Sequence, residues 1–107
     1  MSNIDPSIAN EAIGLVTGER QASYGHPSRN FQDIADLWSP ILGIGVSAEQ
    51  VALCMVQVKI AREIHNPKRD NLVDAVGYIL TYNATLHHNL VMHKACSDSC
   101  GYCKDVC

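Results

Sequence analysis

From Val51 to Ile64 the chain is apolar almost all the way round a helical wheel, with Leu53, Met55, Val56, Val58, Ile60 and Ala61 leaving no wide polar face. A helix of that kind is stable in water only when neighbours cover it on several sides. Its start is marked by Ser47-Ala48-Glu49-Gln50, a capping-box sequence in which the Ser47 hydroxyl takes an orphan backbone amide and the Gln50 side chain reaches back. Asn66-Pro67 ends it, and a link of a few residues leads to Asp70, where Leu72, Val73, Val76, Ile79 and Leu80 set up the next helix. So short a link makes the two helices an antiparallel hairpin.

The rest of the chain supplies the cover. Asp5-Pro6 reads as an N-cap followed by proline in the first turn, and Ile8, Ala9, Ala12, Ile13, Leu15 and Val16 continue as a helix of about four turns. Ser23-Tyr24-Gly25-His26-Pro27 breaks the period as a structured turn. Phe31, Ile34, Ala35, Leu37, Trp38, Ile41 and Leu42 restore it, with Phe31 and Trp38 at core spacing, although Pro40 is expected to kink or end that helix near Ser39. No strand-like alternation and no internal repeat appear. The predicted fold class is all-α, a four-helix-type bundle over residues 1–95, with a cysteine-rich tail at 96–107. At 107 residues there is one core, and an all-round apolar helix in so short a chain calls for completion by a second copy, as a dimer or tetramer.

Composition narrows the partners. With 47% hydrophobic and 18% charged residues the chain folds in water rather than spanning a membrane or staying disordered. A net charge of −3 argues against duplex nucleic acid and acidic membranes, so an anionic ligand must be held by a few placed cations. The first residues lack a basic stretch followed by an apolar one, which makes the cytoplasm the expected compartment.

On the apolar central helix Lys59, Arg62 and Glu63 share one face, and on the next helix Asp70, Asp74 and Tyr78 recur every four residues. Antiparallel pairing brings the two sets together: two cations and three carboxylates at one end of the hairpin. They read either as a salt-bridge network that fixes helix register or as a phosphate and metal site. In the second reading Asp70 and Asp74, with Glu63 as a third ligand, hold Mg²⁺, while Lys59 and Arg62 neutralise phosphate. Gly77 beside Tyr78 is expected to let a neighbouring helix come close.

The succession Glu19-Arg20, Tyr24-Gly25, Asn30-Phe31, VKIARE (58–63) and DNLVDAVGY (70–78) resembles the small all-α MazG-like proteins common in phage genomes, including the nucleotide-modification-associated type. The likeness runs from Glu19 to Tyr82. It implies a helical, oligomeric, Mg²⁺-dependent hydrolase that splits a nucleoside triphosphate, canonical or modified, into monophosphate and pyrophosphate. The departure is specific. The family's E-x-x-E pair is replaced by Lys59 and Arg62, and of its E-x-x-D pair only Asp74 carries over, with Asn71 three before it and Asp70 as the available substitute. The implied catalytic and metal residues are Glu63, Asp70 and Asp74. A chain with fewer carboxylates and more cations also fits a second function, a non-catalytic protein that sequesters a nucleotide. The third reading is a helical oligomerisation module.

The turn supplies candidate base and sugar contacts: Tyr24 for stacking, His26 and Asn30 for hydrogen bonds, Arg20 for phosphate, with Tyr78 on the hairpin stripe. Asn30 reads equally well as a helix cap, Tyr24 as core, and His26 as a turn residue. Cys54 lies in the apolar run and is expected in the core, whereas Cys96, Cys100, Cys103 and Cys107 form one stripe if the last helix continues. One stripe cannot wrap a tetrahedral ion, so Zn²⁺ there would need a helix break at Gly101, ligands such as His87, His88 or His93, or a second chain.

Overall fold

The computed structural model describes residues 3–18 and 26–95, with side chains described through residue 88. These residues form four helices and no strand: α1 Pro6–Thr17, α2 Pro27–Leu42, α3 Ala48–His65 and α4 Arg69–Ala95. Each start has a local cause. Asp5 Oδ1 accepts the Ser7 amide at 2.9 Å, and the full capping box forms at α3, with Gln50 N to Ser47 Oγ at 3.1 Å and Ser47 N to Gln50 Oε1 at 2.8 Å. α1, at 12 residues, is shorter than the expected four turns.

Pro40 does not end α2 at Ser39; the helix runs two residues past it to Leu42. Proline forgoes only its own amide bond to the preceding turn, and the Gly43 amide still closes the last turn onto the Ser39 carbonyl at 2.9 Å. Ser39 ties that end together: its hydroxyl donates to the Ala35 carbonyl at 2.8 Å and accepts the Val46 amide at 2.9 Å. Gly43, at φ +69°, then closes the helix in the left-handed region that a glycine enters without strain.

α3 and α4 form the antiparallel hairpin. α2 packs across it, and Phe31, Ala35, Ala48, Val51 and Ala52 make the buried core, flanked by Ile34, Trp38, Met55, Tyr78 and Tyr82. α1 lies along α4 in the same direction, with Glu11 and Ser7 on Arg69 and Val16 beside Gly77. A methyl group at Gly77 would meet Val16 Cγ1 at 3.5 Å, an ordinary contact. The expected glycine-dependent close approach is therefore absent at that position.

One expectation for α3 changes. Cys54 is exposed rather than a core thiol. Within one chain α3 is also not covered on all sides, since Leu53, Ile60 and Ile64 remain exposed, Ile64 by 81%. Leu72, Ile79 and Leu86 are exposed at seven-residue intervals along α4. Rotating 100° per residue from the facing pair Lys59 and Asp74 carries both stripes to the same flank of the hairpin. Among the described residues no helix is long and apolar enough to cross a membrane.

Candidate phosphate site on the α3–α4 hairpin

Lys59 Nζ stands 3.1 Å from Asp74 Oδ2, with 13% of the lysine side chain and 36% of the aspartate side chain exposed. The apolar surroundings on α3 cover the lysine stem and leave its ammonium at the hairpin seam. Glu63 has a different job. Its Oε1 accepts the Lys68 amide at 2.9 Å and Asn71 Nδ2 at 3.2 Å, while the same Asn71 amide group reaches the Asn66 carbonyl at 3.3 Å. Glu63 and Asn71 thus clamp the short connection between the helices.

The Arg62 and Asp70 side chains are exposed and, among the described residues, neither makes a hydrogen bond or close ion pair, although Asp70 lies near enough to Arg69 to help raise the pKa of its guanidinium. Arg62 is three residues beyond Lys59 on α3 and Asp70 four before Asp74 on α4, so each lies about one turn from the ion pair toward the closed end of the hairpin. The hairpin therefore brings Lys59, Asp74, Glu63 and Asn71 together, with the Arg62 guanidinium beside them hydrogen-bonded to none of the described residues and the Asp70 carboxylate facing Arg69 only through its charge. Among the described residues, no three His, Cys, Asp or Glu side chains cluster as a protein cage for a metal would.

The other candidates stand apart. Tyr78 stacks on Phe31 with ring centroids 6.1 Å apart and packs against the core. Asn30 is half-buried in the first turn of α2 and is not its cap; the cap is His26, whose Nδ1 accepts the Ser28 amide at 3.1 Å. The His26 ring also meets His88, with centroids 4.4 Å apart. Since His88 is fourteen residues beyond Asp74, this end of α4 lies about 21 Å along the helix from the ion pair. Arg20, Tyr24 and the cysteines at 96, 100, 103 and 107 lie outside the described residues, and so do the side chains of residues 89–95, His93 among them.

Three features escaped the sequence reading. Arg69 clamps α1 onto α4 through Glu11 and, at 3.0 Å, Ser7 Oγ. Arg69's charge is held further above its ordinary pKa by the Glu11 hydrogen bond. α4 also carries a seam at heptad spacing, Asn71, Asp74, Tyr78, Thr81, Thr85 and His88, in which every side chain is polar and buried or half-buried. Thr85 is fully buried, and its Oγ1 has no hydrogen-bond partner. The 3-4-3-4-3 spacing was a signal available in the sequence, because the seam a helix buries is ordinarily apolar.

His26 makes the fold sensitive to acid. Burial, then the neighbouring His88, lowers its pKa from the ordinary 6.5. Protonating Nδ1 removes the acceptor for the Ser28 amide. Because the folded pKa is depressed, this stability is fully present above pH 6.5 and is lost as pH falls through the folded value. The melting temperature should fall on acidification below pH 6.5, and His26→Asn, which keeps a capping acceptor, should flatten that fall; equal slopes in both proteins would contradict it.

A family model described as a domain of unknown function, DUF6378, matches residues 7–86. The chain is similar to the Gene 55 protein of Mycobacterium phage D29, 45% identical over 73 residues that make up 67% of this chain and 48% of the relative. It is also similar to the Gene 55 protein of Mycobacterium phage L5, 36% identical over 74 residues, 67% of this chain and 47% of the relative. The chain thus spans about half the length of the curated relatives it matches. No solved structure matches it significantly.

Proposed function

We propose that this chain, which belongs to the DUF6378 family, is a nucleotide pyrophosphohydrolase that grips triphosphate at the closed end of the α3–α4 hairpin. The observation that carries the reading is the Lys59–Asp74 pair with the exposed side chains of Arg62 and Asp70 about a turn away. A cation already positioned by a carboxylate, beside a second cation that no described side chain pairs, suits an anion that arrives with its own metal. The likeness of VKIARE and DNLVDAVGY to MazG-like proteins supports the same reading.

Asp70 and Asp74 are the carboxylates that would hold Mg²⁺ here, an ion commonly bound by one or two carboxylates plus substrate phosphates and water. Bound there, the ion would neutralise phosphate charge and lower the pKa of the attacking water. The chain's own residues do the rest. Lys59 exchanges Asp74 for a phosphate oxygen, Arg62 supplies a forked donor to the departing pyrophosphate, and Glu63 keeps the hairpin end rigid through the Lys68 amide and Asn71. Water oxygen bonds to the α-phosphorus, the bond to the bridging oxygen breaks, and monophosphate and pyrophosphate leave.

The engagement of Glu63 with the connection favours a second reading, nucleotide sequestration without cleavage, since it removes one carboxylate from the ligand set. Incubation with a nucleotide panel and Mg²⁺ separates the two: pyrophosphate release identifies the enzyme, and a thermal shift without product identifies the binder. No response to any nucleotide would leave only a helical oligomerisation module. The exposed stripes of Leu53, Ile60 and Ile64 and of Leu72, Ile79 and Leu86 support pairing with a second copy. Sedimentation velocity should then give a dimer or larger, and a monomer at high concentration would refute that part. The phage relatives support action in the cytoplasm of a bacterial host.

A further inference from the structure

Where α1, the start of α2 and α4 meet there is an open cleft of about 220 Å³. Its walls include Val16, Pro27 and Ala84, and its polar groups are Thr17, His26 and Thr81. We propose that this cleft holds the base of the nucleotide and selects bases that carry an exocyclic amino group, an inference that rests on the phosphate reading above.

Its hydrogen-bonding pattern follows from bonds already made. His26 Nδ1 accepts the Ser28 amide and lies 2.8 Å from Ser28 Oγ, so the neutral ring carries its proton on Nε2, which donates to no atom of the described residues. Thr17 Oγ1 donates to the Ile13 carbonyl at 2.6 Å and Thr81 Oγ1 to the Gly77 carbonyl at 2.9 Å. With their protons spent, both hydroxyls offer only lone pairs. The cleft therefore presents one donor and two acceptors among apolar walls. Adenine, cytosine and guanine each match that set with two N–H donors and an acceptor. Thymine and uracil have a single ring N–H and cannot.

Size and position agree. At about 220 Å³ the cleft has room for one heteroaromatic ring system. Thr81 is seven residues beyond Asp74, hence on nearly the same face of α4 and about 10.5 Å along its axis. An extended nucleoside triphosphate spans that separation, with its phosphates at Lys59 and its base beside Thr81.

Calorimetric titration with dATP, dCTP, dGTP, dTTP, dUTP and inorganic tripolyphosphate, in EDTA and again in Ca²⁺, tests the assignment. The three amino-bearing nucleotides should bind about tenfold more tightly than dTTP, dUTP or tripolyphosphate, the worth of one or two hydrogen bonds. Thr81→Val, which removes an acceptor, and Ala84→Leu, which fills the cleft, should each reduce them to the level of tripolyphosphate without changing tripolyphosphate binding. Equal affinity for all five nucleotides, or indifference to both variants, would overturn the base cleft while the phosphate site stands. Failure of every nucleotide and of tripolyphosphate to bind would remove the phosphate reading and the cleft with it. Far-UV circular dichroism confirms that each variant keeps its helices.

Discussion

Lys59→Ala is expected to lower nucleotide affinity at least about tenfold and to destabilise the fold by about 1–3 kcal/mol, between the worth of an exposed and of a buried ion pair. The two losses have separate origins. Binding falls because the mostly covered ammonium is the cation best placed for phosphate, and stability falls because Asp74 is left as a partly covered carboxylate without its partner. Lys59→Met with Asp74→Leu separates them: the double variant should recover stability in urea unfolding, because two apolar side chains replace a pair that cost desolvation, and should still fail to bind. A double variant that binds nucleotide as well as the parent would refute the role given to Lys59.

Asp74 carries the second large effect. Asp74→Ala should cut Mg²⁺-dependent pyrophosphate release by about a hundredfold or more while leaving helicity intact. Asp74→Asn tests the charge alone, since the amide oxygen still accepts from Lys59 Nζ and the hairpin contact survives. Loss of turnover in Asn as in Ala assigns the effect to the negative charge. Unchanged turnover in either variant would sink the catalytic assignment.

Much of this fold was legible because its signals are local. The Ser47–Gln50 capping box, the Asp5 cap and the short connection at 66–68 involve residues within a few positions of one another, and they place the helices and the hairpin. Proline alone predicts a kink or an end at Pro40; the end does not occur, because the Ser39 hydrogen bonds to Ala35 and Val46 hold the last turn past it. Cys54 lies in an apolar run, but on a helix apolar on nearly every side composition cannot say which stripe faces out.

The site divides along similar lines. Antiparallel pairing was enough to bring Lys59 to Asp74, because helical spacing and a short link determine which residues face each other. It was not enough to give Glu63 its role, which depends on the Lys68 amide turning back toward α3 and on Asn71 bridging to Asn66. His26 looked like a turn residue and caps α2; its partner His88 is 62 positions away in the chain, beyond the reach of periodicity. The polar seam of α4 was within reach, and asking which seam the helix buries would have drawn attention to Thr81, Thr85 and His88 alongside Asp74 and Tyr78.

The central claim is that the closed end of the hairpin binds nucleotide phosphate, and Arg62 tests it most directly because its side chain is exposed and, among the described residues, holds nothing else. Titration of Arg62→Ala with a nucleoside triphosphate should show affinity reduced about tenfold, the scale of a charge-assisted hydrogen bond, at an unchanged melting temperature for the free protein. Affinity equal to that of the unmodified chain would contradict the account.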